Sequence, residues 1–167
     1  MLANGHHWKP NYPEYDGEFT GQYMHSHDFK GVDDSWKDKK VLVIGAGNSA
    51  CDVAVESARV AGTVSMSMRS PQWFIPKFMF GKPADELGTL TNRLPKKIRQ
   101  LLFTGLLKLM QGSYKKYHLP VPKELVLNQH PTLNSDLLDY IRHDRIKPRP
   151  AIQSFNGNEV SFSDGRV

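Results

Sequence analysis

The run Val41-Leu42-Val43-Ile44-Gly45-Ala46-Gly47-Asn48-Ser49-Ala50 limits the possible folds of this chain more than any other stretch. Four apolar residues, three of them β-branched, read as a strand buried inside a parallel sheet. The strand breaks at a glycine turn, and helical spacing starts at once, with Ala50, Ala54 and Ala58 on one stripe and Val53 beside them. Asp52 and Glu56 fall off that stripe, toward solvent or a domain edge. Gly62 is expected to end the helix in the left-handed conformation. Thr63 to Met68 then alternates as a second strand. Strand, glycine turn, helix and strand make a βαβ unit. The fold class expected is therefore α/β: a Rossmann-like domain with a mostly parallel sheet.

Gly-x-Gly-x-x-Ala between a strand and a helix is a mechanical device for holding phosphate. Gly45 permits the sharp exit from the strand. Gly47 lets backbone amides come close to a pyrophosphate, and Ala50 lets the helix pack near the sheet. Unpaired amides and the helix dipole favour negative charge there. Gly45, Ala46, Gly47, Asn48, Ser49 and Ala50 are thus the expected dinucleotide turn. NAD-binding units carry an acid at the end of the second strand, for the ribose diol. This chain has Met68-Arg69-Ser70 instead. A guanidinium and a hydroxyl suit a 2′-phosphate, which an aspartate would repel. NADPH is expected over NADH, with Arg69 the main determinant and Ser70 assisting.

Other segments add architecture. Residues 1–35, punctuated by Pro10, Pro13 and Gly17, read as an ordered strap, and 36–167 as the nucleotide domain. Residues 71 to about 133 look inserted. Within them Leu94 to Met110 carries amphipathic spacing, with Leu101, Leu102, Leu106 and Leu109 together. Packing against the sheet is the expected use of that stripe; its flanking lysines also suit a membrane surface. A further helix is expected at Ser135 to His143, capped by Asn134 or Ser135. Ile146 to Val167 reads as short strands with turns at Asn156-Gly157 and Asp164-Gly165, a terminal β-hairpin region.

Charge and cysteine usage exclude some classes. The net charge of +5 is spread along the chain without aromatic interleaving, which argues against a nucleic-acid partner. No apolar run is long enough to span a bilayer. The first residues lack a basic region followed by an apolar stretch, so no signal peptide is expected. One cysteine, Cys51, points to a reducing, cytoplasmic setting and reads as a small packed residue. The histidines His6, His7, His118, His130 and His143 show no metal-ligand spacing.

Upstream of the glycine turn, Phe19-Thr20-Gly21-Gln22-Tyr23-Met24-His25-Ser26-His27-Asp28-Phe29 resembles the identifying motif of the flavin-containing monooxygenases, matched at Phe19, Gly21, His25 and Phe29. Gly45 to Ser49 resembles the same family's second dinucleotide turn. Leu2-Ala3-Asn4-Gly5 resembles its linker from the flavin domain, with Asn4 where threonine is usual. Val160 to Gly165 resembles the segment that leads back to that domain. The resemblance implies an enzyme that reduces FAD with NADPH and transfers one oxygen atom from O2 to a nitrogen or sulfur nucleophile. It also implies that residues 1–35 belong to a strap from the FAD-binding domain, and that the FAD-binding Rossmann unit lies outside this chain. On its own the chain is expected to lack turnover. For His25 the resemblance leaves two roles, at the flavin–nicotinamide interface or as a hydrogen bond from strap to sheet.

Two neighbouring readings remain. Baeyer–Villiger monooxygenases carry a similar motif that normally ends in tryptophan, where this chain has Phe29-Lys30. Disulfide reductases with two dinucleotide units need a redox cysteine pair, and only Cys51 is present. Trp73 and Phe74 suit either adenine stacking or anchorage of the insertion, with packing preferred.

Overall fold

A computed structural model describes residues 9–84, 86, 91, 94–128 and 130–167. The Leu2 to Gly5 linker and the His6-His7 pair lie outside the described residues.

The expected βαβ unit is present. Strand β1 (Lys40–Ile44) leads into helix α1 (Asn48–Ser57), which returns to strand β2 (Thr63–Ser67). β1 and β2 pair in parallel, Val41 opposite Val64 and Val43 opposite Met66. One sheet face therefore carries Val43, Val64 and Met66, and these are buried with Cys51, Ala54, Val55 and Ala58 of α1. Small residues along the helix are what allow this close approach.

Gly62 works differently from the expectation. Ser57 ends the helix, and the capping residue Ala58 is right-handed. Gly62 does not adopt positive φ. A Cβ placed there would lie 2.9 Å from the Asp38 Cα, so glycine is needed for close chain approach.

Between β2 and the next sheet strand the chain makes a long excursion. It forms β3 (Phe74–Ile75), then a tight hairpin of β4 (Phe78–Met79) and β5 (Lys82–Pro83), then helix α2 (Lys96–Gln111). A 3-10 turn at Tyr114–Tyr117 follows, and β6 (Thr132–Leu133) comes back to pair in parallel with β3. Trp73, Phe74, Met79, Phe103, Leu107, Tyr114 and Val126 join the same apolar core as α1 and β2. Trp73 donates its indole N–H to the Glu124 carbonyl at 2.8 Å, so Trp73 and Phe74 are packing residues.

Helix α2 corrects the expected leucine stripe. Its buried residues are Gln100, Phe103, Thr104 and Leu107. Leu101, Leu102 and Leu109 are 60%, 55% and 84% exposed, and Ile98 is 47% exposed. The apolar residues run nearly all round the helix, so spacing alone gave two possible faces, and the aromatic Phe103 with Leu107 occupies the core. Leu107, fully buried, touches the core; Leu109, one half-turn on, points outward.

Helix α3 (Leu137–Arg142) starts where Asn134 Oδ1 accepts the amides of Asp136 and Leu137 at 2.9 and 2.7 Å, so Asn134 is the capping side chain. The chain then enters β7 (Ile146–Arg149), which pairs in parallel with β2. The main sheet has the order β1-β2-β7. β8 (Ile152–Asn156) and β9 (Glu159–Phe162) form an antiparallel hairpin turning at Gly157, where φ is 60°.

Leu107→Ala should cost about 3 kcal/mol in urea unfolding, as a large core truncation does. Leu109→Ala should change stability by less than about 0.5 kcal/mol. The reverse order would mean that the two faces of α2 are wrongly assigned.

Candidate functional site

The glycine turn sits at the carboxyl end of β1, where open α/β sheets place their ligands. Gly45 has φ of 119°, a conformation that favours glycine, and its amide donates to the Ser67 carbonyl at 2.9 Å. That bond ties the turn to the end of β2. Gly47 has an ordinary φ of −77°, so the backbone does not demand glycine there. Packing within the chain does not demand it either: a Cβ on Gly47 would meet nothing within 4 Å, so the space beside this residue is open. Gly47, Asn48 and Ser49 are exposed. Cys51 is the first residue whose amide finds a carbonyl in the turn, that of Gly47 at 3.0 Å. The amides before it are the orphan donors that any helix start leaves.

Beneath the turn, the chain is held by residues far away in sequence. The Thr132 hydroxyl donates to the Ala46 carbonyl at 2.7 Å. The Asn48 side-chain oxygen accepts the Leu133 amide at 2.8 Å, and Asp52 Oδ1 accepts the Asn134 side-chain amide at 2.9 Å. Lys77 approaches the same Asp52 oxygen at 3.3 Å. Asn48 and Asp52 thus serve partly as docking points for β6. Sequence reasoning missed Thr132 entirely, because its partner lies 86 positions away. Cys51 is packed under the turn, and burial pushes its thiol up to about 12, with Asp52 contributing.

At the end of β2, Arg69 and Ser70 are both exposed. No carboxylate pairs with the Arg69 guanidinium among the described residues. Tyr15 from the strap lies beside it: burial raises that phenol above its usual value, and the Arg69 charge pulls the other way. The neighbouring strand ends in Arg149, whose carbonyl accepts the Met68 amide at 3.0 Å. Its guanidinium rests over the Phe162 ring, 5.6 Å from the centroid. Arg149 was also missed. Register, which no single segment encodes, brings it next to the end of β2.

In the strap, Tyr15, Phe19, Gly21, His25 and Phe29 are half-buried, while every other residue from 11 to 30 is exposed. The Phe19 ring packs on Phe155 at 5.4 Å. A Cβ on Gly21 would lie 2.5 Å from that ring, so Gly21 makes room for Phe19. His25 Nδ1 accepts the His27 amide at 3.1 Å, and the His25 carbonyl accepts the Asp28 amide at 2.9 Å. His25 therefore ties its own turn, and among the described residues it makes no hydrogen bond to the sheet. Phe29 meets Trp36 edge-on at 5.7 Å. The strap is fastened to the terminal hairpin by bonds from Phe155 to Asp16, Gly157 to Glu18 and Thr20 to Gly157. Gly17, with φ of 84°, is required there, because a Cβ would lie 2.0 Å from the Phe155 carbonyl oxygen.

No group of side chains suited to a metal ion occurs among the described residues, and none of their helices is long and apolar enough to cross a membrane.

A parallel sheet whose first strand passes through an open glycine turn into a small-residue helix defines an α/β domain of the Rossmann type. The chain belongs to the flavin-binding monooxygenase-like family, whose model matches residues 1–167. It is 35% identical to human flavin-containing monooxygenase 3, over 100% of this chain and 33% of that protein. It is 34% identical to human flavin-containing monooxygenase 5, over 99% of this chain and 32% of that one. The chain thus spans about one third of the length of these relatives. Its fold matches a cyclohexanone-bound cyclohexanone monooxygenase with a TM-score of 0.60 at 15% identity, covering 94% of this chain and 43% of the other. A steroid monooxygenase bound to NADP matches with a TM-score of 0.58 at 15% identity, over 95% and 42%.

Cys51 gives the site a pH signature. The folded thiol titrates near 12 and the unfolded one near 9, so its contribution to stability is complete below pH 9 and is lost as pH rises toward 12. Cys51→Ser should flatten the fall in stability across that window, measured by denaturant midpoints, and a thiol reagent at pH 8 should label Cys51 only after unfolding.

Proposed function

We propose that this chain supplies the NADPH-binding part of a flavin-dependent monooxygenase. The whole enzyme would reduce FAD with NADPH and transfer one atom of O2 to a small nitrogen- or sulfur-containing nucleophile. In this reading residues 1–35 are the strap from the FAD-binding domain and 36–167 the NADPH domain, with 71–133 inserted. The observation that carries it is the pairing of two features on one sheet: the open glycine turn after β1, and after β2 an exposed Arg69 that has no carboxylate partner among the described residues.

The residues present fit the cofactor. The turn from Gly45 to Ala50 would hold the pyrophosphate through backbone amides, since Gly47 leaves the approach clear. Arg69 would bind the 2′-phosphate through paired charge-assisted bonds, with Ser70 adding a hydroxyl. NADPH bound there supplies hydride to the flavin; this chain's own work is to bind and orient it. The half-buried motif residues Phe19, Gly21, His25 and Phe29 would fix the strap, whose Tyr15 feels the Arg69 charge. A human relative named as a putative N-oxide-forming dimethylaniline monooxygenase, 33% identical over 100% of this chain, favours nitrogen oxygenation over the Baeyer–Villiger alternative.

Calorimetric titration should give NADPH binding at least tenfold tighter than NADH. Arg69→Ala should remove that preference, a loss of about 1.5–3 kcal/mol expected of a hydrogen bond to a charged group, and leave NADH unchanged. Equal affinities in the unaltered protein would refute the NADPH assignment.

A further inference from the structure

Among the described residues, a distant side chain holds the Ala46 carbonyl of the glycine turn from below. Thr132, itself only 4% exposed, donates to it at 2.7 Å, and the Cys51 thiol reaches the same oxygen at 3.8 Å. The peptide joining Ala46 to Gly47 is trans, as are all those of the described residues. In a trans peptide the carbonyl and the following N–H point in opposite directions. A carbonyl drawn inward to Thr132 therefore turns the Gly47 N–H outward. That amide has no acceptor among the described residues, and a Cβ placed on Gly47 would meet nothing within 4 Å.

From this geometry we infer that Thr132 is a positioning residue for the nucleotide site: its hydroxyl sets the Ala46–Gly47 peptide so that the Gly47 N–H is presented to the pyrophosphate. The inference rests on the NADPH-binding reading and deepens it. Thr132 touches no ligand. It acts through one peptide plane, and it is itself fixed because its amide donates to the Trp73 carbonyl at 2.9 Å and the next amide donates to Asn48. Thr132 and its two successors thus form a short brace along the turn and first helical turn, with Asn134 binding Asp52. A serine keeps the donor. A valine keeps the shape and removes it, freeing the peptide to rotate.

The intact protein and its Thr132→Val and Thr132→Ser variants should be titrated with NADPH, NADH and adenosine 2′-phosphate. Thr132→Val should weaken NADPH and NADH by the same factor, about tenfold, the size expected for one charge-assisted hydrogen bond. It should leave adenosine 2′-phosphate unchanged, because that probe has no pyrophosphate. Thr132→Ser should stay within about twofold of the original for all three. This pattern differs from that of Arg69→Ala, which spares NADH. If the valine variant does not fold, the unaltered protein decides: the Gly47 amide resonance should move downfield and exchange more slowly when NADP+ is added. Full dinucleotide affinity in Thr132→Val, or an unmoved Gly47 resonance in the bound state, would overturn the role of Thr132 alone. Absence of any pyridine-nucleotide binding by the unaltered protein would overturn the underlying reading as well.

Discussion

A peptide plane has two ends, and holding one decides the other. Each carbonyl of the glycine turn that is satisfied from below leaves an amide facing outward, and the start of α1 adds further donors that the helix cannot use. The sheet, the small residues of α1 and the returning β6 are all arranged around this single bend. Gly45 lets the chain leave β1 sharply and bonds back to Ser67; Ala54 and Ala58 let the helix lie close enough for the bend to be tight. Without the inward anchoring, the same sequence would still turn, but its donors would have no fixed direction.

The second constraint is lateral. Ends of adjacent parallel strands are brought level by register, and here Ser67 of β2 pairs with Arg149 of β7. Arg69 and Arg149 consequently emerge from neighbouring strand ends, with Tyr15 of the strap close to the first and Phe162 of the hairpin beneath the second. The strap owes its position to backbone pairing with β8 and to Gly17, whose missing side chain admits the Phe155 carbonyl. In this way Tyr15 and Phe19 of the strap come to pack against Phe155 of the hairpin.

Much of this was legible in the chain itself. β-branched Val41 to Ile44, the glycine turn and the alanine stripe each report a local preference, and the βαβ unit followed from them. Asn134 could be read as a cap because capping is local. The family resemblance placed Phe19, Gly21, His25 and Phe29, although only the structure shows that Gly21 makes room for Phe19 and that His25 closes its own turn. What sequence could not supply was long-range. The Thr132 hydroxyl beneath Ala46 and Arg149 beside β2 depend on how distant segments meet. The outward leucines of α2 mislead for another reason: a helix apolar on most sides obeys the same periodicity whichever face is buried. Gly62 had two possible uses, handedness or closeness, and the local sequence does not tell them apart.

The brace from Thr132 to Asn134 has a consequence for the order of assembly. The βαβ unit closes over short loops, whereas its glycine bend is completed by contacts reaching more than eighty residues along the chain. Long loops close late, because their entropy must be lost before the contacts reward it. A nascent or partly opened chain would thus hold its first strands and helix while the corner at the glycine turn was still slack. If the turn holds nucleotide as proposed, that competence would be the last property gained in folding and the first one surrendered.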